Sequence, residues 1–146
     1  MANGLSACTG LPGGQMLQNE PIRRFSTRLG SEAIRVGQAH GYQLEEILHL
    51  APETIARAGE GDETAMRACD EQRFKDGGRT SAEQRPSMGQ DMLKGRRTEI
   101  EFINGHIVDK GAQIGIAAPC NAKITALVKR VERQELPITI GNLRYV

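Results

Sequence analysis

The sequence predicts an all-α domain, and three observations support this fold class. Aromatic residues make up 3% of the chain, and alternating β-branched residues occur only in the tail around residues 137–140, so strand patterns are nearly absent. Apolar residues recur every three or four positions along most of the chain, which is typical of helices with one buried face. Helix-capping residues and glycines separate these segments. The 146 residues are enough for one domain with a core of its own.

The first two helices are predicted before residue 42. Residues 1–7 have the composition of a short helix, which ends before the loop at residues 10–14. Asn19 stands where an N-cap is expected, with Pro21 in the first turn, where the missing N–H of proline is harmless. The apolar spacing that follows predicts a long helix, which ends at Gly41.

The middle of the chain predicts two more helices, with polar connections between them. One helical pattern covers residues 44–58, and another covers residues 62–74 and ends at the glycine pair 77–78. Residues 79–85 are polar and predict a loop.

Two closely spaced helix starts follow that loop. Ser87 with Gln90, and Thr98 with Glu101, have the spacing of capping boxes. The second helix is predicted to bury one apolar stripe, with Gly111 on the stripe and Gly105 one residue off it as points of close approach. The stripe consists of Ile100, Ile103, Ile107 and Ile114. A last helix is predicted from about residue 121, with Ile124, Leu127, Val128 and Val131 on one face.

Composition excludes several classes of function. The formal net charge is +1 with both signs interspersed, whereas proteins that bind nucleic acid or anionic membranes carry a concentrated basic excess. The longest apolar stretch, residues 114–120, is too short to span a bilayer, and the start lacks the pattern of a signal peptide. Cys8, Cys69 and Cys120 are odd in number and widely spaced, so we expect reduced thiols, no metal site and a cytoplasmic protein.

The most informative candidates for chemistry are Ser87 and Glu99. Each stands near the start of a predicted helix, where free backbone N–H groups and the positive end of the helix dipole suit a carboxylate ligand. On spacing alone, the structural interpretation is favoured: Ser87 caps its helix and Glu99 complements a helix dipole. The segment Gly59-Glu60-Gly61 is not interpreted as a nucleotide site, because no strand precedes it and a third glycine is missing.

A long pattern at fixed offsets surrounds these two residues. It consists of Ser87, Met88, Gln90, Asp91, Gly95, Arg96, Thr98, Glu99, Ile100, Glu101, Asn104, Gly105, Gly111, Gly115, Ile116, Pro119 and Asn121. This pattern resembles the C-terminal domain of the ketopantoate reductase (2-dehydropantoate 2-reductase) family, which has approximately S-M-x-Q-D-x-x-x-G-R-x-T-E-I-(D/E)-x-x-N-G, followed by G-x-x-x-G-I-x-x-P-x-N. Gly89 departs from the pattern, because leucine is common there, and we expect it to loosen the helix locally.

The resemblance implies roles for three residues. Ser87 is similar to the serine that binds the substrate carboxylate, and Glu99 to the glutamate that orients the carbonyl or hydroxyl end. Asn3 resembles the second substrate-side asparagine of the family pattern Lys-x-x-x-Asn-x-x-x-Asn, in which the lysine is the general acid. Met1 stands two residues before Asn3, so the resemblance implies that the lysine and the first asparagine lie upstream of this sequence.

The resemblance also implies an architecture and an activity. Residues 1–146 are expected to form a single, N-terminally truncated helical domain with a tail at 137–146. Its fold should resemble the C-terminal domain of 6-phosphogluconate dehydrogenase, with no Rossmann domain in the chain. The family reaction is NADP(H)-dependent reduction of a ketopantoate-like 2-oxo acid, for which this chain is expected to bind no cofactor and to be inactive alone. We expect a homodimer; the alternative is a stand-alone helical dimerisation module without catalysis.

Overall fold

The computed structural model describes residues 3–77 and 83–146, and within these ranges helices and turns account for all regular structure except one isolated β-bridge between Ile47 and Leu50. The all-α prediction is therefore confirmed. In chain order the elements are α1 (Asn3–Thr9), α2 (Gly13–Gln18), α3 (Glu20–Ala39), α4 (Pro52–Gly59), α5 (Glu63–Gly77), α6 (Ser87–Leu93), a π-helical turn (Glu101–Gly105), α7 (His106–Gln113), α8 (Pro119–Glu132) and a 3-10 turn (Ile140–Tyr145).

The main apolar core is built around α1. Six of its seven residues are buried, and Leu5, Ala7 and Cys8 are fully inaccessible. The buried faces of α3, α6 and α8 pack in the same cluster, together with Ile100. Because α1 is enclosed by these elements, its short sequence is held as a helix by tertiary packing; an isolated helix of this length would not be stable in water.

A second, smaller core joins α3, α4 and α5. Its central residues include Ile34, Ile55 and Met66. The helices α3 and α4 approach closely at Gly59, where an added Cβ would overlap Ser31 of α3. On the surface of the same contact, Arg35 binds Glu53 and Glu60 at 2.5–3.0 Å.

The predicted boundaries of α3 are confirmed, while the helix predicted over residues 44–58 is wrong in its first half. The Asn19 side chain accepts a hydrogen bond from the backbone N–H of Ile22 at 3.1 Å, and Gly41 follows the helix end with φ of +82°. Residues 42–51 form no helix, and α4 begins only at Pro52. Proline disfavours helical geometry in the residue before it and is well suited to the first helical turn, so the helix can begin here but not pass through.

Neither predicted capping box forms. Pro86 occupies the N-cap position of α6, Ser87 is the first helical residue, and the Gln90 side chain donates to the backbone carbonyl of Arg85. At the second site, the partner of Thr98 is Glu132 of α8: its Oε1 accepts from the Thr98 N–H at 2.7 Å and from the Thr98 hydroxyl at 2.6 Å. Glu132, from a distant helix, thus accepts the hydrogen bond that the spacing had assigned to Glu101.

The predicted stripe of isoleucines is also wrong. Ile100 is fully buried, but Ile103 and Ile114 are exposed, and Asn104 is buried instead. The π-helical turn Glu101–Gly105 lies within this stretch, and a stripe derived from the spacing of a regular helix does not allow for it. Gly111 is nevertheless a point of close approach as predicted, because an added Cβ would overlap the backbone oxygen of Ile116.

The tail contains no strand where alternation suggested one. It packs against the end of α1, where the Cys8 carbonyl accepts from the Thr139 N–H at 3.1 Å and from the Asn142 side chain at 2.9 Å. The last helix starts at Pro119, two residues before the predicted position. Residues 1–2 of the first predicted helix, Gly78 of the predicted stop and residues 79–82 of the predicted loop lie outside the described residues.

Candidate functional site

The start of α1 lies against the turn that carries Glu99. A Cβ added to Gly4 would lie 3.1 Å from Ile100 Cδ1 and 2.9 Å from Ile124 Cγ1 of α8. Asn3 and Glu99 are each the direct sequence neighbour of a residue in this contact. The packing therefore brings the sequence neighbours of two predicted site residues into contact, although they come from opposite parts of the chain.

Ser87, the third predicted site residue, is at the start of α6, which packs against α1. Gln84 accepts a hydrogen bond from the Gly13 N–H, Arg85 donates to the Gly10 carbonyl, and Gly89 packs on Ser6. These pairings show that α6 runs antiparallel to α1. Ser87 is two residues from Gly89, and Asn3 is three residues from Ser6, in the opposite direction along the helix axes. At about 1.5 Å per residue, Ser87 and Asn3 are therefore offset by about 8 Å along these axes.

Glu99 and Ser87 present free side chains at this surface. Both are exposed, and neither side chain has a hydrogen-bond partner within residues 3–77 and 83–146. The Glu99 backbone is ordered, because its carbonyl accepts from the N–H groups of Phe102 and Ile103 at 3.0 and 3.1 Å. The turn thus fixes the backbone of Glu99 and leaves its carboxylate available to a ligand.

The neighbouring glutamate has a different environment. Glu101 binds Lys129 of α8 and Arg97, the latter at 2.7 Å, and these two cations lower the pKa of the Glu101 carboxyl, Lys129 having the larger effect. A carboxylate with two cationic partners is poorly available to a ligand. The two adjacent acidic positions therefore divide into one structural and one free carboxylate.

Sequence reasoning missed Glu132, which holds the backbone immediately before Glu99. Its bonds to Thr98 end the loop that follows α6 and start the turn at Ile100. The sequence identified Thr98 as a capping residue, but spacing pointed to Glu101 and cannot show that an acid as distant as Glu132 is the acceptor.

A surface groove of about 830 Å³ lies next to this turn but not at the predicted site. It is bordered by the C-terminal ends of α6 and α8, by the loop at 95–97 and by the first residues of the tail. None of Asn3, Ser87 and Glu99 lines it. Its arginines at the rim, Arg96, Arg97 and Arg133, are each paired with a nearby carboxylate.

The segment Gly59-Glu60-Gly61 does not fit the phosphates of a dinucleotide. Gly59 is the last residue of α4, and the Glu60 carboxylate binds Arg35. A phosphate loop instead follows a strand and opens a helix, where free N–H groups face the phosphates. The part of the chain that the structure describes holds no cluster of three or more potential metal ligands and no helix long and apolar enough to cross a membrane.

Comparison with known proteins identifies the same family as the sequence pattern. The family profile described as ketopantoate reductase PanE/ApbA C terminal matches residues 1–132. The 2-dehydropantoate 2-reductase of Streptococcus pyogenes serotype M6 is 32% identical over 122 residues, which is 82% of this chain and 32% of that protein. The enzyme of the same name from Archaeoglobus fulgidus is 52% identical over 52 residues, 36% of this chain and 18% of that protein.

Solved structures support the assignment. A PanE/ApbA family ketopantoate reductase from Ralstonia eutropha JMP134 superposes with a TM-score of 0.65 at 27% identity, covering 90% of this chain and 37% of that one. A dimeric ketopantoate reductase from Staphylococcus aureus shares the fold with a TM-score of 0.63 at 20% identity, covering 92% of this chain and 39% of the other. The chain thus spans about a third of the length of these relatives. With the family profile matched over residues 1–132 and this fold, the chain belongs to the ketopantoate reductase family, of which it represents the C-terminal region.

Proposed function

We propose that this chain is the substrate-binding domain of a 2-dehydropantoate 2-reductase, which reduces a 2-oxo acid to a 2-hydroxy acid with NADPH. The observation that carries the proposal is the contact between Gly4 and Ile100, which are the sequence neighbours of Asn3 and Glu99. This contact supports a shared site for the two residues that the family pattern assigns to substrate. The relatives at 82% coverage of this chain are named for that reaction.

The geometry favours one orientation of the substrate. The substrate carboxylate is an anion, so it is repelled by an ionised Glu99 and is best placed away from it. Ser87, offset by about 8 Å from Asn3 along the helices, is a hydroxyl at a helix start and suits that carboxylate. Asn3 and Glu99 then face the carbonyl or hydroxyl end, where Glu99 orients the reacting oxygen.

Hydride transfer is assigned to a nucleotide-binding domain that the described residues do not contain. NADPH supplies the hydride there, and the general-acid lysine of the family is not assigned to a residue of this chain. No residue of this chain is therefore given a step in hydride transfer. We expect the chain alone to bind no NADPH and to have no reductase activity, and to work as part of a cytoplasmic homodimer.

The test is reconstitution of a complete enzyme. The chain is fused behind the nucleotide-binding domain of the Archaeoglobus fulgidus relative, in place of the matching region, and NADPH oxidation is followed with 2-dehydropantoate. Glu99→Ala should lower kcat at least tenfold, as expected on loss of a group that acts on the reacting atoms. Ser87→Ala should raise KM for the oxo acid more than it lowers kcat.

Glu101→Ala is the matched control, because Glu101 is two residues away and its carboxylate is already bound by Lys129 and Arg97. It should leave kcat within about twofold, apart from a small loss of stability typical of surface ion pairs. Equal kinetics for Glu99→Ala and the unmodified fusion would overturn the role of Glu99. Micromolar NADPH binding to the chain alone, measured by calorimetry, would overturn the division of labour between the two domains.

A second candidate function is a helical dimerisation module, and one observation favours it. Phe102 is 79% exposed on the π-helical turn, with Leu93 at 52% and Ile103 at 40%. Large contiguous exposed apolar surfaces commonly mark a contact with another protein. A stable dimer that Phe102→Glu dissociates in sedimentation, together with a fusion enzyme that has no reductase activity, supports the module. An active fusion enzyme, or a chain that is monomeric at all concentrations, refutes it.

A further inference from the structure

A buried chain of polar groups runs from α3 through α8 to the turn behind Glu99. It begins at Glu32 of α3, whose carboxylate accepts from the backbone N–H groups of Cys120 and Asn121 at 2.8 and 2.9 Å. These are orphan donors in the first turn of α8, and Ala118 at its N-cap position supplies no side-chain acceptor. Glu32 therefore caps α8 from a different helix.

The chain continues through two buried asparagines. The Asn121 side-chain amide donates to Glu32 Oε2 at 2.7 Å and to the Leu29 carbonyl at 3.2 Å. Its oxygen accepts from the Asn104 amide at 2.8 Å. Asn121 is 1% exposed and Asn104 is 6% exposed.

The end of this chain lies inside the π-helical turn. Asn104 belongs to Glu101–Gly105, and the first backbone bonds of that region are made to the Glu99 carbonyl. Short π-helical turns are rare and are frequently found at functional sites. This turn lies directly after the proposed substrate residue Glu99. Because Asn104 lies within this turn, its bond to Asn121 ties the turn directly to α8.

We propose that Asn104, held by Asn121 and Glu32, is a positioning residue for Glu99. Its buried hydrogen bond keeps the turn in the π form and thereby fixes the backbone from which Glu99 faces the substrate. Without that bond, the side-chain oxygen of Asn121 is buried with no hydrogen-bond donor, which costs free energy. A shift of the turn that lets water reach this oxygen would lower that cost. The inference rests on the proposed role of Glu99, but the claim that Asn104 holds the π-helical turn can be tested without it.

The structural test is amide hydrogen exchange on the chain itself. Asn104→Leu should accelerate exchange of the Phe102 and Ile103 amides at least tenfold more than exchange of amides in α4 and α5. The matched control is Asn142→Leu, which removes another buried asparagine, 1% exposed and bonded to Cys8 and Pro137. The control should not single out the turn.

If Asn104→Leu does not fold, Asn104→Ala gives the same comparison with a smaller side chain. Acceleration confined to the turn supports the proposal. Uniform acceleration over the whole chain, or equal behaviour of the Asn104 and Asn142 variants, overturns it.

The functional test uses the fusion enzyme described above. Asn104→Leu should lower kcat at least fivefold with KM for NADPH unchanged, while Asn142→Leu keeps kcat within twofold. An unchanged kcat in Asn104→Leu overturns the positioning role. Full activity of Glu99→Ala is a different result: it refutes the proposed function, whereas the exchange comparison still decides whether Asn104 holds the turn.

Discussion

The contact between Gly89 and Ser6 makes a quantitative prediction about the packing of α1 and α6. Replacing a helical glycine by alanine normally stabilises a protein by up to about 1 kcal/mol, because the glycine loses more backbone entropy on folding. Here an added Cβ would lie 3.0 Å from Ser6 Cβ and 3.4 Å from the Ser6 carbonyl carbon, and closer still to the hydroxyl oxygen. Gly89→Ala therefore overpacks the contact between the two helices.

The magnitude follows from what must move. The Ser6 hydroxyl donates to the Leu11 carbonyl at 2.9 Å, so rotating it away leaves a buried polar group unsatisfied. Overpacking of a filled core costs about 1–3 kcal/mol. When a gain in helix propensity of about 1 kcal/mol is subtracted, Gly89→Ala should lower the free energy of unfolding by up to about 2 kcal/mol.

The assay is urea unfolding followed by circular dichroism, arranged as a double-mutant cycle with Ser6→Gly. In the Ser6→Gly background the obstruction is gone, so Gly89→Ala should be neutral or stabilising. Gly105→Ala is the control, because the nearest atoms to its added Cβ are 3.7 Å away, and it should not destabilise the protein. Stabilisation by Gly89→Ala equal to that by Gly105→Ala would refute the argument.

Three further perturbations test separate parts of the fold. Arg35 lowers the pKa of Glu53 and Glu60, so this contribution to stability is present above the unfolded carboxyl pKa of about 4.3 and is lost as pH falls through the lower folded values. Arg35→Gln should therefore move the acid-unfolding midpoint, measured by circular dichroism, to higher pH, and an identical midpoint would contradict this. Burial, and secondarily Glu32, raises the pKa of the Cys120 thiol to about 11, so its alkylation rate should rise about tenfold per pH unit from neutral pH upward. Mass spectrometry measures that rate, and a flat profile would exclude the raised pKa. Gly111→Ala should destabilise the protein by about 1–3 kcal/mol in thermal unfolding, because its Cβ would overlap the rigid backbone oxygen of Ile116, and a raised Tm would rule out the overlap.

The sequence predicted elements well where the signal was local. Asn19 caps α3 through its own side chain and the N–H group three residues later, so the residues that define the boundary are also its neighbours in the chain. Pro52 is the opposite case, since apolar spacing alone extended a helix across it. The steric effect of a proline on the preceding residue was the more decisive signal.

The predicted site depended on signals that are not local. Thr98 was recognised as a capping residue, but its partner is Glu132 of α8, brought there by the packing of the core. The π-helical turn after Glu99 is held by Asn104 and Asn121, and hydrophobic periodicity cannot show such a turn because it assumes a regular helix. The pattern gave the candidate residues, while only the fold shows that Gly4 and Ile100, the neighbours of Asn3 and Glu99, pack against each other.

The position of α1 explains how so short a helix can hold Asn3 in a fixed place. Its residues after Asn3 are all buried, and they are enclosed by α6, α8 and the tail. Asn3, half-buried at the start of this helix, is held by the buried residues that follow it. The predicted site should therefore be sensitive to substitutions that shift α1 relative to α6. A substitution at the Gly89–Ser6 contact is the most direct test, because this contact sets the distance between α1, which starts at Asn3, and α6, which starts at Ser87.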